Sequence, residues 1–307
     1  MELKQLRNFV RIADIGSFSK AAQVVHVAQS ALSLQLSALE GELGVALFRR
    51  VSRGVVLTEA GERLYAEAQK ILRHADGLKS AVADPRSIGG VVTLGLPLSV
   101  AAILALPIIQ RAKATLPLVQ LHMYELSSGT GAEWLASSRL DMCLLFQEHE
   151  LSGISRTVLF DEVLFLLVQS ASPLARRKSI PLREVAGMRL VLPTPGLGVR
   201  SLLEDECAKL GLRLANPAAE LNSISLMKQA TAAGLGPSVF GAAAFSGDPF
   251  ASHLSALQIV RPSLPRRALL YTREAADNEA VERVADLARA TVREVAANAG
   301  WRGVTVR

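Results

Sequence analysis

The sequence predicts an α/β protein in three parts: a winged helix-turn-helix head, a coiled-coil linker helix and a C-terminal domain of two α/β subdomains. Three observations predict it. Residues 17–57 hold two short amphipathic segments joined by a tight turn, then a basic hairpin signature. One narrow apolar stripe follows on a long helical segment and stops at a Pro/Gly break near residues 84–90. Beyond that break, strand-like and helix-like segments alternate, which is the pattern of α/β units with largely parallel sheets.

In the head, Leu3, Leu6, Phe9, Val10 and Ala13 recur at helical spacing and predict a first covering helix. A second is expected over residues 18–25, with Ser17 placed to cap it. The third, over residues 29–43, carries Leu32, Leu36, Leu39 and Leu43 on one face and Ser30, Ser33, Leu34 and Ser37 on the other. Leucines behind and small hydroxyls in front suit a DNA major groove, because serine approaches base edges and phosphates without steric cost. Gln29 opens that face. The plainer alternative is an amphipathic helix whose serines only face water. Next come Phe48, Arg49, Arg50, a turn at residues 52–54 and the apolar run 55–57, a hairpin signature. Arg53 is expected at a minor-groove edge, with Arg49 and Arg50 nearer the phosphate backbone or the domain's own fold.

The linker, residues 58–83, begins with Thr58 as a cap and with Glu59 and Glu62 placed against the helix dipole. Leu64, Ala68, Ile71, Ala75, Leu78 and Val82 alternate spacings of four and three, which predicts a seam for a partner helix and hence self-association. The alternative is a helix packed against its own body. These readings divide the chain into residues 1–58, 59–88 and 89–307.

The C-terminal part predicts strands at 91–96, 119–125, 141–146, 162–168, 189–192, 238–240, 257–260 and 268–272, and helices at 100–114, 131–138, 199–210, 223–233 and 278–297. Crossings at 159–161 and 262–265 separate one subdomain (89–160 plus 266–300) from the other (161–265). Ligands in such folds bind beyond the carboxyl ends of strands. Ser99, Ser128, Thr130, Thr194 and Asn222 fall in four segments that end strands or open helices, and together they favour a small anion. Each alone reads equally as a helix cap. A pocket in use leaves a cavity among these groups with Phe146 on its wall; one without a ligand is filled by Leu98, Phe146 and Leu197.

Composition excludes several classes. Half of the 307 residues are apolar and a fifth charged, an ordinary soluble balance with room for two or three cores. The net charge of +6 fits a polyanion without requiring one. Two distant cysteines and five scattered histidines provide neither a disulfide framework nor a metal spacing. Glu2 and the amphipathic start do not read as a signal peptide. Residues 89–110 carry no charge, but Gly95, Pro97 and Pro107 interrupt them, so a strand and a helix explain them better than a membrane span. Gly236-Pro237-Ser238-Val239-Phe240 lacks the glycine of a nucleophile elbow, and Gly196-x-Gly198 lacks a third glycine and a P-loop lysine. No enzymatic reading is supported and no cofactor is expected. A free-standing solute-binding module would explain the last two thirds but not the head.

Several motifs carry a resemblance: Gly16-Ser17-Phe18, Ala21-Ala22, Gln29-Ser30-Ala31-Leu32-Ser33, Leu39-Glu40, Leu43-Gly44, Leu47-Phe48-Arg49 and Leu57-Thr58-Glu59-Ala60-Gly61. Through them the head resembles LysR-type transcriptional regulators. Ala28 departs from the family, which often has a hydroxyl cap there. Leu34 stands where a polar or basic residue is common, so a thymine-methyl contact or none is expected of it. Glu125–Thr130, Leu140–Leu145 and Leu159–Glu162 look like the nitrogen assimilation control branch. The resemblance implies a cytoplasmic regulator of promoter or operator DNA. Its C-terminal domain would be like a periplasmic binding protein, with a small-molecule co-inducer between its halves. Assembly as a homodimer, or a dimer of dimers, is implied as well. Some of that branch act without an effector, controlled by their own abundance.

Overall fold

A computed structural model of the chain describes residues 1–52, 54–83, 88–195, 198–245, 251–274, 279–298 and 301–307. Expectations for Arg53 and Leu197 lie outside the described residues, and those for Leu78 and Val82 outside the described side chains.

The head contains α1 (Leu3–Ile15), α2 (Phe18–Val24), α3 (Gln29–Leu43), and a hairpin of β1 (Phe48–Val51) and β2 (Gly54–Leu57). Leu6, Phe9, Leu36, Leu39 and Leu47 are buried together, so the apolar stripes of α1 and α3 face one core. Ser17 accepts from the Lys20 amide and caps α2. Phe48 meets Phe9 and Phe18 edge-on at 5.4 and 5.9 Å, anchoring the hairpin to two helices. The hairpin is held down at its turn as well. Gly54 has φ 111°, and a Cβ there would overlap the Gly16 carbonyl oxygen. Only glycine allows this approach. Beside it the Val55 amide donates to that same oxygen at 3.0 Å.

The linker helix α4 (Glu59–Ala83) starts as expected: Thr58 Oγ1 accepts from the Gly61 amide at 3.0 Å. Its packing differs from the expected seam. Tyr65, Ala68 and Leu72 are buried in the head core, with Leu64 partly covered. Ala68 therefore faces the chain's own head and not a partner helix. Ile71, 40% exposed, is the clearest outward apolar residue, and Ala75 is half-buried. The stripe read from leucine, isoleucine and alanine omitted Tyr65, whose ring turns the buried face of the helix toward α1.

The remainder comprises β3 (Gly89–Pro97), α5 (Leu98–Thr115), β4 (Leu118–Leu126), α6 (Ser128–Ala136), β5 (Met142–Leu145), β6 (Ile154–Gln169), β7 (Ser179–Pro181), α7 (Leu182–Ala186), β8 (Val191–Leu192), α8 (Gly198–Lys209), β9 (Ala219–Glu220), α9 (Ile224–Ala232), β10 (Ser238–Gly241), β11 (Leu254–Val260), β12 (Pro265–Arg273), α10 (Glu279–Asn298) and β13 (Val304–Val306). Strand order is β4-β3-β5-β12-β6-β10-β8-β9, with β11 and β13 also on β6. The β3–β4, β3–β5, β8–β9 and β8–β10 pairs are parallel, as expected. The expectation of a largely parallel sheet fails at its centre. There β6 and β12 run antiparallel to each other, β12 is antiparallel to β5 and β6 to β10, because the two strands pass between the lobes in opposite directions.

The uncharged stretch resolves into β3 and α5. Among the described residues α5 alone is long and apolar enough to cross a membrane. Its Val100, Leu104 and Ile108 are buried in the first lobe's core against Val284 of α10. The helix starts at Leu98 directly after Pro97, two residues ahead of the start expected at residue 100. Head and first lobe also touch: the Arg139 guanidinium lies 4.7 Å from the Tyr65 ring centre and 5.6 Å from that of Trp134.

Candidate DNA-reading face and interlobe cleft

On α3, Leu32, Leu36 and Leu39 are buried, while Gln29, Ser30, Leu34 and Ser37 are exposed and Ser33 is half-buried. The opposite-face reading therefore holds for Leu32, Leu36 and Leu39 against Ser30, Leu34 and Ser37, whereas Leu43, expected on the buried face, is 39% exposed at the end of the helix. Leu34 is 73% exposed, an apolar side chain with nothing in its own chain to cover it and a shape suited to a thymine methyl. Gln29 is engaged locally: its Oε1 accepts from Ser19 Oγ at 2.8 Å, which ties the start of α3 to α2. Gln35 accepts from Asn8 Nδ2 at 2.5 Å and fixes α3 on α1. No side chain caps α3 at Ala28, and its first turn carries no acidic residue. Its amides and positive dipole end thus stay favourable for a phosphate. Arg49 and Arg50 are exposed on β1 beside this face. Glu40, at the far end of α3, accepts from the Leu47 amide at 2.7 Å and sets the angle between helix and wing.

The second site is a cavity of about 110 Å³ between the lobes. Its walls include Ser99 and Ser128 at the starts of α5 and α6, Phe146, Asn222 before α9, and Gly241 at the end of β10. Ser99, Ser128, Phe146 and Asn222 are thus brought together as expected. Thr130 and Thr194 do not line it. Thr130 Oγ1 sits 2.9 Å from Ser127 Oγ, so this hydroxyl belongs to a helix cap. The cavity wall is mainly apolar, with Leu98, Met227 and Phe240 contributing.

Arg266 was not among the expected residues. It falls between the crossing read at 262–265 and the strand read from 268, so neither pattern claimed it. Arg266 lines the cavity and is the only charged residue among the described lining residues. Its Nε donates to Glu162 Oε1 at 2.6 Å, Nη2 forms an ion pair with the same oxygen at 2.5 Å, and Nη2 donates to Ser99 Oγ at 3.1 Å. The guanidinium lies 3.6 Å from the Phe146 ring centre. Glu162 and Arg266 are opposite one another on β6 and β12, and the next pair along is Asp161 and Arg267. Because strand side chains alternate, one ion pair points to the cavity and the other away from it. The outer Asp161 also accepts from Arg307 at 2.8 Å, and the hydrogen bond from Arg267 is the main cause holding its carboxyl below the usual range.

Both thiols are buried, Cys143 in the first lobe's sheet and Cys207 in the core of the second. Burial pushes the Cys143 thiol up to about 12 and raises that of Cys207. Neither is a reactive thiolate at neutral pH.

Comparison with known proteins agrees with this geometry. Residues 3–62 match the family described as "Bacterial regulatory helix-turn-helix protein, lysR family", and residues 85–293 match "LysR substrate binding domain". The nitrogen assimilation regulatory protein nac of Klebsiella aerogenes is 37% identical over 242 residues, covering 78% of each chain. A cysteine-to-serine mutant of Corynebacterium glutamicum OxyR with bound H2O2 superposes with TM-score 0.61 at 26% identity, covering 100% of this chain and 97% of that one. Full-length CbnR complexed with its target DNA shares the fold, with TM-score 0.68 at 20% identity and coverage of 95% and 100%. The chain belongs to the LysR family of DNA-binding transcriptional regulators, with an N-terminal helix-turn-helix and a C-terminal effector-binding domain.

Proposed function

We propose that this regulator binds operator DNA in the cytoplasm as a homodimer or a pair of dimers, without enzymatic activity. The proposed contacts are Ser30, Ser33, Leu34 and Ser37 in the major groove, with Arg50 and Arg53 on the hairpin and Gln29 positioning the helix start. Partnering of α4 is assigned to the face of Leu64, Ile71 and Leu78, while Ala68 is taken up by the head. The C-terminal domain changes those DNA contacts when a small molecule enters the cleft at Ser99, Ser128, Phe146 and Asn222. The observation that carries this reading is the cavity itself. Both lobes build it, and the two crossing strands pass beside it, so a ligand there has different contacts in open and closed arrangements. Differential affinity of that kind is what shifts a conformational equilibrium.

A second reading is supported by the nac relatives and by the size of the cavity: regulation of nitrogen assimilation genes without an effector. At about 110 Å³ the cavity is smaller than the ~150 Å³ that holds one benzene and well below usual ligand pockets. Peroxide sensing, which the OxyR relatives suggest, is disfavoured by the burial of both thiols.

A thermal-shift screen of small organic acids, amides and amino acids on the full chain separates the first two readings. A ligand at 100 times its dissociation constant adds about 2.7 kcal/mol, an easily measured shift. A hit abolished by Ser99→Ala supports the cleft. No hit at millimolar concentration favours the effector-free reading.

A further inference from the structure

Among its described lining residues the cleft holds one cation, and that cation is already compensated. Glu162 is fully buried, and Arg266 is only 10% exposed at its side chain. They form a pair of no net charge, joined by a hydrogen bond of 2.6 Å and an ion-pair contact of 2.5 Å. A carboxylate ligand would therefore bring an unbalanced negative charge into an apolar cavity next to Glu162. Desolvating an ion without a counter-charge is far more costly than desolvating a neutral polar group that is hydrogen-bonded. Helix ends do not overturn this balance. The termini of α6 and α9 are capped internally by Ser127 and Ser223. At α5, where Pro97 offers no side-chain cap, the helix end contributes only about half an elementary charge.

The pair also leaves an acceptor open. Glu162 Oε2 is buried and has no hydrogen-bond partner, whereas Oε1 takes both Arg266 donors. It packs behind the cavity wall, against Gly241, where a Cβ would overlap both carboxylate oxygens; Glu162 itself does not line the cavity. One end of the cavity thus offers donors from Arg266 and Ser99, with the Glu162 charge behind them, over apolar walls.

Building on the sensing role proposed for this cleft, we infer that Glu162 is its specificity-determining residue. By neutralising Arg266 it selects a small apolar molecule whose uncharged head bears a hydrogen-bond acceptor. A primary carboxamide is the simplest such head. The corresponding carboxylate, which the hydroxyls and helix starts alone suggest, is rejected.

The test is isothermal titration of the full chain with matched pairs small enough for the cavity, propionamide against propionate and isobutyramide against isobutyrate. In the wild type the amide of each pair binds more tightly by about tenfold or more. Glu162→Gln removes the compensating charge and reverses the order, so the carboxylates win, while Ser99→Ala weakens both. Tighter binding of the carboxylates to the wild type overturns the charge inference, needs no variant, and leaves the sensing role intact. An unchanged order in a folded Glu162→Gln protein overturns the role of Glu162. If neither member of either pair, nor any compound of a broad neutral and acidic library, binds the wild type, the sensing role fails and this inference with it.

Discussion

The DNA-reading face and the cleft differ in how their chemistry is distributed along the chain. The face is local: fifteen consecutive residues of α3 supply both the buried leucines that orient it and the exposed groups that read. The cleft is assembled from distant segments, and its charge is decided by a pair 104 residues apart. A pattern of period 3.6 reveals the first kind of site. It says nothing about the second, where two strands must be placed side by side before Glu162 and Arg266 can be seen to cancel.

The largest separation between the two regions is expected from the linker. Ile71→Asp puts a charge on the outward face of α4 without touching the head core or the cleft. Sedimentation should then show monomers, with operator affinity falling by about 10²- to 10⁴-fold as the second half-site contact is lost. An unchanged oligomer would remove α4 from the dimer contact. Leu39→Ala, by contrast, opens a cavity under the reading helix. It should cost the head about 2–5 kcal/mol by denaturant unfolding while leaving the C-terminal lobes unaffected. Loss of the lobes' own transition would mean that the two regions fold as one unit.

How far the sequence carried can be judged at particular residues. Ser17, Thr58 and the α3 leucines were legible because capping and periodicity are local effects with few competitors. Ala68 was misplaced on the partner-facing stripe of α4 because Tyr65, an amphipathic ring, was left out of the apolar count. Its burial then rotates the helix toward α1. Small strands such as Ser179–Pro181 and Val304–Val306 were missed because three residues carry no period and exist only by pairing with β11 and β6. Thr130 and Ser99 look alike in sequence, yet one caps a helix and the other meets Arg266.

The thiols sharpen the contrast between this cleft and a redox sensor. Native protein at pH 8 should leave both cysteines unmodified by a disulfide reagent and by peroxide, and both should react in urea. The pH dependence follows in sign: the Cys143 thiol is raised from 9.0 to about 12 in the folded state. Its contribution is therefore complete below pH 9 and is lost as pH rises toward 12. Rapid native labelling would contradict the buried assignment. The smallest effect is expected on the outer side of the crossing strands. Asp161 is stabilised as the anion by Arg267 and then Arg307, so its contribution is present above the normal carboxylate range and lost as pH falls. Asp161→Asn should cost about 0–1 kcal/mol at neutral pH, since its partners are half exposed, and should flatten the acid side of the stability profile. A larger loss would mean that the crossing itself depends on this pair.

The central claim is that α3 reads base sequence with its serine face, and fluorescence anisotropy on two DNA fragments tests it directly. Wild type and the Ser30→Ala/Ser33→Ala double variant are titrated, at one salt concentration, against the chain's own upstream region and a scrambled fragment of equal length. Base contacts specify and phosphate contacts only position. The account predicts about 1–3 kcal/mol weaker binding to the upstream region for each hydroxyl that makes a good base contact, with binding to the scrambled fragment unchanged. Equal weakening on both fragments, or none on either, would contradict it.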